Sequence, residues 1–369
     1  MRLHSPRTSL PFALLPCLLA MAPAAAAMQT QDIEGQVIVV AADGSGDYTT
    51  VQAAVDAAPA YSSERVTVLI EPGVYHQPLT IPQSKRNLTL AGASGDPREV
   101  VISCDRAAGT PRPEGGTYGT SGSACTVISG NDVHAYGLTF ANTWDRLAHP
   151  EIAGTQAVAV RTTGDRLVFG NVRFLGHQDT LYANSPNDAT PARQYYYNCY
   201  IEGDVDFIFG RGTAVFDGCE IRSLDRGSDS NNGFVTAPST PAAFAYGFLI
   251  TRSCFTSDAP PDTVYLGRPW VPSSNPTVQP QVLIRDSWLG RQFKDQGWVA
   301  MTADIDWRNY RLREYRNFGP GAHVTDDRPQ MGDEEAALHT PADFLAGNDG
   351  WNPVRPGPPA PPVCLARGQ

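Results

Sequence analysis

Length, composition and charge exclude several classes of protein. The chain has 369 residues, of which 41% are hydrophobic and only 18% charged, and its net charge is −10. Nucleic-acid binding needs clustered Lys and Arg, which an acidic chain lacks. The 34 Gly and 31 Pro stay below the share typical of low-complexity disorder. Beyond the N-terminal segment, no apolar run reaches the ~20 residues of a membrane-spanning helix.

The first 27 residues have the pattern of a signal peptide. Arg2 and Arg7 precede an apolar stretch at 10–22, and four alanines at 24–27 supply the small residues of a cleavage site. The apolar stretch is too short for a membrane anchor. We therefore expect residues 1–27 to be removed and the protein to be secreted, either extracellular or periplasmic in transit.

Cysteine usage gives a weaker signal. Six cysteines follow the signal segment, namely Cys104, Cys125, Cys199, Cys219, Cys254 and Cys364. Export makes disulfides plausible, but the sequence does not choose a pairing, and buried free thiols are the alternative for any pair. No CxxC pair or HExxH motif indicates a metal site, so we expect none.

A short helix is predicted near the start of the mature chain. In residues 49–59, apolar side chains recur at i, i+3, i+4 and i+7 from Val51, which is one face of a helix. Thr49 with Gln52 fits a capping box, and Pro59 ends the pattern.

A second helix start and a tail are predicted near the C terminus. Thr340 has the character of an N-cap, and Pro341 follows at the first helical position. Residues 353–369 are rich in Pro and are predicted to be extended or disordered.

Between the two helices the chain has the pattern of short β-strands. These segments are rich in β-branched and aromatic residues and are bounded by turn residues. They are residues 66–70, 87–90, 166–169, 195–201, 213–216, 248–251 and 281–284.

A similar strand unit recurs with a drifting period. Its copies begin at Gly137, Asn171, Asn198, Gly218, Ser253 and Asp286. The spacing is 20–35 residues with no helix between copies, which favours a solenoid over a β-sandwich, whose turn signals come about every 8–12 residues. We predict one all-β domain over residues 28–352, a parallel β-helix capped by the first helix.

Three polar segments interrupt the apolar strands and contain the candidate chemistry. They are GHQDTLYA at 176–183, EGDVDFIFG at 202–210 and YLGRPW at 265–270. A charged group inside an apolar run is costly unless it is paired. Asp206 lies directly before three apolar residues, so we expect a charged partner for it.

The spacing of the polar residues suggests which of them meet. Asp179 and Asp206 are 27 residues apart, about one coil of the solenoid, which corresponds to roughly 4.8 Å along the stack. Two neighbouring carboxylates cannot both ionise cheaply, so we expect one to be protonated and the other to be paired with Arg268.

Two glutamines are candidates for stabilising an oxyanion. Gln156 lies 23 residues before Asp179, and Gln178 is its immediate neighbour. Strict strand alternation would place Gln178 and Asp179 on opposite faces, so both serve one site only if the backbone bends there. Each motif alone also fits a structural turn or an ordinary ion pair.

In combination and in this order, the motifs HQDTLY, VDFIFG and LGRPW resemble the pectinesterases (pectin methylesterases). The segments GSGDYTTVQAAVDAAP, EPGVY and RQYYYNCYIEG fit the same resemblance, which covers roughly residues 43–352. The resemblance implies a right-handed parallel β-helix that hydrolyses the C6 methyl esters of polygalacturonate to methanol and carboxylate, without metal or organic cofactor. It implies a role in plant cell-wall pectin degradation, with pectin as the partner of a monomeric enzyme.

The same resemblance assigns roles to individual residues. Asp206 corresponds to the nucleophile and Asp179 to the general acid and base. Gln178 and Gln156 correspond to the oxyanion stabilisers. Arg268 orients Asp206 and keeps it ionised. The substrate-binding residues are Trp270, which faces the sugar, together with Gln156 and Arg268.

Two positions depart from the family pattern. The family often has an aromatic residue where His177 stands and Thr where Asp204 stands. In a regular strand Asp204 would share the face of Asp206, so we expect a third carboxylate that shifts the titration of the site.

Four other functions remain open at this point. They are a calcium-dependent pectate lyase, a polygalacturonase, a non-catalytic β-helix that binds cell-wall polymer, and a lipid-thioester hydrolase. The products of the reaction distinguish them, because only the esterase releases methanol without cutting the polymer.

Overall fold

The computed structural model describes Met1 and residues 35–354. Residues 2–27 of the predicted signal peptide and residues 355–369 of the predicted tail lie outside the described residues. Within the described part, no helix is long and apolar enough to cross a membrane.

The described chain forms three parallel sheets that share one interior. The ten-stranded sheet contains β1 (Gln36–Val40), β2 (Val66–Ile70), β5 (Leu88–Gly92), β8 (His134–Tyr136), β11 (Leu167–Gly170), β14 (Arg193–Tyr197), β17 (Thr213–Asp217), β20 (Phe248–Thr251), β23 (Gln281–Arg285) and β25 (Arg311–Tyr315). The eight-stranded sheet contains β3 (Gly73–His76), β6 (Val100–Cys104), β9 (Thr139–Asn142), β12 (Arg173–Leu175), β15 (Tyr200–Gly203), β18 (Glu220–Ser223), β21 (Cys254–Ser257) and β24 (Trp288–Leu289). The seven-stranded sheet contains β4 (Leu79–Ile81), β7 (Thr126–Ile128), β10 (Val160–Thr162), β13 (Leu181–Ala183), β16 (Val205–Gly210), β19 (Gly233–Pro238) and β22 (Val264–Gly267).

Each strand pairs in parallel with the equivalent strand of the neighbouring coil, which confirms the predicted parallel β-helix. Four short α-helices and one 3-10 helix accompany the sheets within the described residues. They are α1 (Val51–Ala57), α2 (Gly119–Gly122), α3 (Asp333–Ala337), α4 (Pro341–Ala346) and the 3-10 helix Trp307–Asn309.

The recurrent sequence unit corresponds to the eight-stranded sheet and the turn before each of its strands. A residue with positive φ opens each turn, namely Gly137, Asn171, Asn198, Gly218, Arg252 and Asp286. Gly, Asn and Asp tolerate this left-handed conformation, which explains their recurrence. The fifth copy therefore begins at Arg252 rather than at the predicted Ser253. The predicted strand 195–201 is likewise split in two by the turn at Asn198.

Interior side chains stack from coil to coil. Phe169, Tyr196 and Phe216 are in register on successive strands, and their stacked ring centroids are 4.7 Å apart at each step. This separation equals the spacing of paired strands, so one side-chain type can repeat without a gap. The ladder ends at Glu314 on β25, whose buried carboxylate pairs with the fully buried Arg328.

Helix α1 covers the N-terminal end of the coil, as predicted. Its buried residues are Val51, Ala54 and Val55, the predicted face. The N-cap is Thr50, whose hydroxyl accepts from the Ala53 backbone, and not Thr49. The predicted capping box is absent because the Gln52 side chain bonds to Asp56 and to the backbone of Thr80.

The C-terminal helices cover the outer face of the ten-stranded sheet. Thr340 is the N-cap of α4 with Pro341 next to it, as predicted, and Asp343 forms a reciprocal capping box with Thr340. Phe344 and Leu345 of α4 are buried against this face. Elsewhere, Cys104 at the end of β6 and Cys125 directly before β7 form a disulfide, which closes the long connection between these two strands of one coil.

Candidate active site

A cleft of about 710 Å³ lies on the outer face of the seven-stranded sheet. It contains all six residues that the sequence selected as catalytic or substrate-binding, namely Gln156, Gln178, Asp179, Asp206, Arg268 and Trp270. The structure therefore brings together residues that are up to 114 positions apart in the chain.

Strand alternation builds an aromatic floor beside these polar groups. Leu181 and Ile208 are paired and point into the interior, so the next residues, Tyr182 and Phe209, are also paired and face the cleft. The Tyr182 and Phe209 rings stack with centroids 4.2 Å apart. Trp270 lies against both rings, 5.9 Å from Phe209 and 6.3 Å from Tyr182.

Asp206 is held by a two-pronged ion pair. Arg268 donates from Nε to Oδ1 at 2.8 Å and from Nη2 to Oδ2 at 2.7 Å. The guanidinium carbon of Arg268 also lies 3.8 Å from the centroid of the Phe234 ring. Phe234 belongs to the neighbouring strand β19. Arg268 is therefore confined between a carboxylate and an aromatic face, and this fixes the orientation of Asp206.

Both aspartates occupy left-handed backbone conformations. The φ angles are 67° at Asp179 and 51° at Asp206. At Asp206 the pairing of β16 with β19 shifts register between Val205 and Ile208. Strict strand alternation would place Gln178 and Asp179 on opposite faces of the sheet. The two interruptions of strand geometry bend the backbone, so that both side chains face the same cleft.

Burial dominates the titration of both carboxyl groups. Burial raises the pKa of Asp179 well above its usual value, and the charge of Asp206 raises it further. Burial also raises the pKa of Asp206, although the hydrogen bonds and charge of Arg268 oppose this rise. Because Arg268 contacts Asp206 directly, Asp206 is still the carboxyl group that ionises more readily of the two.

The amide of Gln178 is oriented by a residue that sequence reasoning missed. The Thr155 hydroxyl donates to Gln178 Oε1 at 2.6 Å, which leaves Gln178 Nε2 as the donor available to the cleft. Gln156 lines the same cleft from the segment directly after Thr155. The only signal for Thr155 in the sequence was its position next to Gln156.

Other cleft residues were also missed. Tyr182 and Phe209 lie inside the quoted motifs, and alternation from the buried Leu181 and Ile208 would have selected them. Ser121 of helix α2 and the loop residues Tyr118 and Met301 lie outside every recognised motif, and no signal in the sequence selects them.

Asp204 does not share the cleft face with Asp206, contrary to the expectation from a regular strand. Its side chain is 1% exposed and lies near His177, with an Oδ2 to Nδ1 distance of 3.6 Å. The left-handed residue Asp206 and the register shift interrupt the alternation that this expectation assumed. Nevertheless, the charge of Asp204 contributes to raising the pKa of Asp206, so it does influence the titration of the site.

Within the described residues, no group of three or more His, Cys, Asp or Glu side chains is placed to hold a metal ion. The groups available to a ligand in the cleft are therefore carboxyl, amide, guanidinium, hydroxyl and aromatic groups.

Comparison with known proteins places the chain in a family. The sequence model of the pectinesterases matches residues 37–348. The chain belongs to the pectinesterase family. It is 33% identical to pectinesterase 31 of Arabidopsis thaliana, over 90% of this chain and 96% of that protein. It is 36% identical to pectinesterase A of Dickeya chrysanthemi, over 92% of this chain and 97% of that protein.

Solved structures agree with this assignment. The crystal structure of a pectin methylesterase in complex with a hexasaccharide matches this fold with a TM-score of 0.77 and 33% identity, covering 86% of this chain and 98% of that one. The family resemblance inferred from the motifs is confirmed, and the protein is a carboxylic ester hydrolase of the pectinesterase type.

Proposed function

We propose that this cleft hydrolyses the C6 methyl esters of polygalacturonate to methanol and free carboxylate, with Asp206 as nucleophile and Asp179 as general acid and base. The observation that supports these roles is the pair of buried carboxyl groups in one cleft, of which only Asp206 is bound by a guanidinium. This asymmetry gives two chemically identical groups different protonation states. Through this reaction the enzyme takes part in the degradation of plant cell-wall pectin.

In the first step, the ionised Asp206 attacks the ester carbonyl carbon. The amide groups of Gln178 and Gln156 donate hydrogen bonds to the developing oxyanion. The carbon–oxygen bond to the methoxy group breaks as Asp179 transfers its proton to that oxygen, so methanol leaves and a mixed anhydride with Asp206 remains.

In the second step, Asp179 is ionised and accepts a proton from water. The resulting hydroxide attacks the galacturonate carbonyl carbon of the anhydride. The bond to Asp206 breaks, which regenerates its carboxylate beside Arg268 and the protonated Asp179. The two steps consume one water and release one methanol and one acid.

The aromatic floor supports the proposed substrate class. A sugar ring presents C–H groups on its faces, and a methyl ester is less polar than the free carboxylate. Trp270, Tyr182 and Phe209 offer an apolar surface of this kind next to the carboxyl pair. We propose that Trp270 contacts the galacturonate ring and that Gln156 and Arg268 complete its binding.

The products of the reaction test this function. Purified enzyme is incubated with highly methylated pectin and a chelator, and methanol, reducing ends and ultraviolet absorbance from unsaturated product are measured together. We expect methanol and carboxylate in equal amounts and no change in the other two signals. An Asp206→Asn sample prepared in parallel controls for contaminating esterases. Reducing ends, unsaturation or binding without methanol would each contradict the proposal.

Orientation of Gln178 by Thr155 makes a further prediction. Gln178→Ala should lower kcat by roughly 10²–10³-fold, because one oxyanion donor is lost. Thr155→Val keeps the shape but frees the amide to rotate, so we expect a loss in kcat of up to about tenfold with KM little changed. Thr163→Val is the matched control, because that hydroxyl bonds to Ser129 away from the cleft. An equal loss in both Thr variants would contradict the positioning of Gln178.

We also propose that the enzyme is exported and acts as a monomer. The basis for export is the pattern of residues 1–27. Sedimentation of the processed protein checks the oligomeric state.

A further inference from the structure

His177 and Asp204 contact each other beside the catalytic segments. His177 Nδ1 lies 3.6 Å from Asp204 Oδ2, and Arg226 Nη1 lies 3.0 Å from Asp204 Oδ1. The backbone N–H of Val205 also donates to Asp204 Oδ1, at 2.7 Å. The buried carboxylate of Asp204 therefore lies between an imidazole and a guanidinium.

This cluster lies where the two catalytic segments pair. The backbone N–H of Asp204 donates to the His177 carbonyl at 3.1 Å, and the N–H of Asp179 donates to the Val205 carbonyl at 3.0 Å. The His177–Asp204 side-chain contact thus spans the same two segments as these backbone bonds. Because Asp179 and Asp206 both have left-handed φ angles, regular strand pairing does not by itself fix their separation.

Arg226 links the cluster to a third segment. It belongs to the loop between β18 and β19, which is organised by the buried Asn232. The Asn232 side chain accepts from the backbone N–H of Arg226 and donates to the carbonyl of Ser228. These bonds fix the path of the loop that carries Arg226 beside Asp204.

The charge of the cluster affects both catalytic groups. The negative charge of Asp204 acts to raise the pKa of Asp206 and of Asp179. Burial acts against ionisation of Asp204, but His177 and Arg226 hold its pKa below the usual value. Two cations therefore offset a carboxylate that would otherwise favour protonation of Asp206.

We propose that His177 and Arg226 are positioning residues that act through the buried carboxylate of Asp204, where they hold the two catalytic segments together and balance the charge beside them. The proposal rests on the proposed roles of Asp179 and Asp206. None of the three residues of the cluster lines the cleft, so they act on the reaction through the groups that do.

The other charges that face His177 come from the segment after β9. Asp145 acts in the same direction as Asp204 on the pKa of His177, and Arg146 acts against it. Asp204 is the largest influence, because its close contact with His177 raises this pKa more than burial lowers it. In the acid range His177 is therefore protonated and Asp204 ionised.

The test compares pH profiles of kcat/KM for His177→Gln, Asp204→Asn and the double variant. The acid limb of the profile, where activity rises with pH, reports ionisation of Asp206. Loss of the His177 imidazolium should move this limb to higher pH, because a more negative potential raises the pKa of Asp206. Loss of the carboxylate should move it to lower pH. The double variant should return close to the wild-type limb, and His177→Lys should keep it. We expect kcat at the optimum to fall by about tenfold in each single variant, with KM little changed.

A matched control and an independent readout complete the test. His323→Gln removes a partly exposed imidazole that pairs with Asp295 away from the cleft, and it should leave the limb unmoved. NMR titration of His177 in the resting protein should give a lower pKa in Asp204→Asn than in wild type. Shifts in the same direction for the two single variants, additive losses in the double variant, or an unchanged His177 titration would each overturn the proposal. If Asp206→Asn retained full activity while the His177 titration changed as expected, the catalytic roles would be wrong and the His177–Asp204 pairing would stand.

Discussion

Asp206→Asn should lower kcat for methanol release by roughly 10⁴–10⁶-fold, the size of loss seen when a catalytic nucleophile or its essential partner is removed. An amide oxygen is a poor nucleophile, so the mixed anhydride cannot form. The substitution keeps the side-chain shape and one acceptor for Arg268, so the β-helix should persist. Methanol release measures the activity, and circular dichroism with thermal unfolding measures the fold.

A second buried carboxylate provides the control for this variant. Asp217 on β17 is 4% exposed and accepts hydrogen bonds from Arg252 Nε at 2.9 Å and from the Tyr195 hydroxyl at 2.9 Å. It matches Asp206 in burial and in its guanidinium partner, but it lies in the ten-stranded sheet, away from the cleft. Asp217→Asn should destabilise the protein and leave kcat of the folded fraction unchanged. Substantial activity in Asp206→Asn, or an equal loss in both variants, would remove Asp206 as the nucleophile.

The sequence predicted the architecture because a solenoid repeats its local signals. Strand β2 at Val66–Ile70 and strand β20 at Phe248–Thr251 coincide with the predicted segments. Each coil must bury the same kind of side chain as its neighbours, so apolar strands and turn residues recur together. Errors occurred where a left-handed residue interrupts a continuous aromatic run, as at Asn198, because β propensity does not register such a turn.

The chemistry of the site was also largely visible, because polar residues inside apolar strands need a partner. The position of Asp206 inside an apolar strand predicted a cationic partner, and Arg268 is that partner. What the sequence could not give was backbone conformation. The positive φ angles of Asp179 and Asp206 decide that Gln178 shares the cleft and that Asp204 does not. Residues such as Met301 reach the cleft from loops, whose paths depend on tertiary packing.

The titration of the carboxyl pair was predicted only in part. Charge and spacing indicated that one group would be protonated, and Asp179 has the strongly raised pKa. The sequence could not show how deeply both groups are buried, and burial is the largest influence on the pKa of each. The balance between burial and Arg268 depends on the depth of the cleft, which no local pattern encodes.

Asp179→Asn should lower activity and raise stability. Loss of the proton that leaves with methanol should cost roughly 10²–10⁴-fold in kcat. Asp179 is 7% exposed, and no hydrogen bond to its carboxyl group is present among the described residues. Ionisation of this group in the folded protein is therefore unfavourable, whereas Asn carries no charge and fills the same space.

The sign of the stability change follows from the raised pKa of Asp179. The folded protein holds this proton more tightly than the unfolded chain, whose Asp pKa is about 3.9. The carboxyl group therefore lowers the free energy of unfolding as the pH rises from about 3.9 to the folded-state pKa. Urea denaturation at a series of pH values should show Asp179→Asn equal to wild type in acid and more stable near neutrality. A variant that is less stable than wild type near neutrality would mean that Asp179 is ionised and favourably paired in the resting enzyme, and it could not then be the acid that protonates methanol.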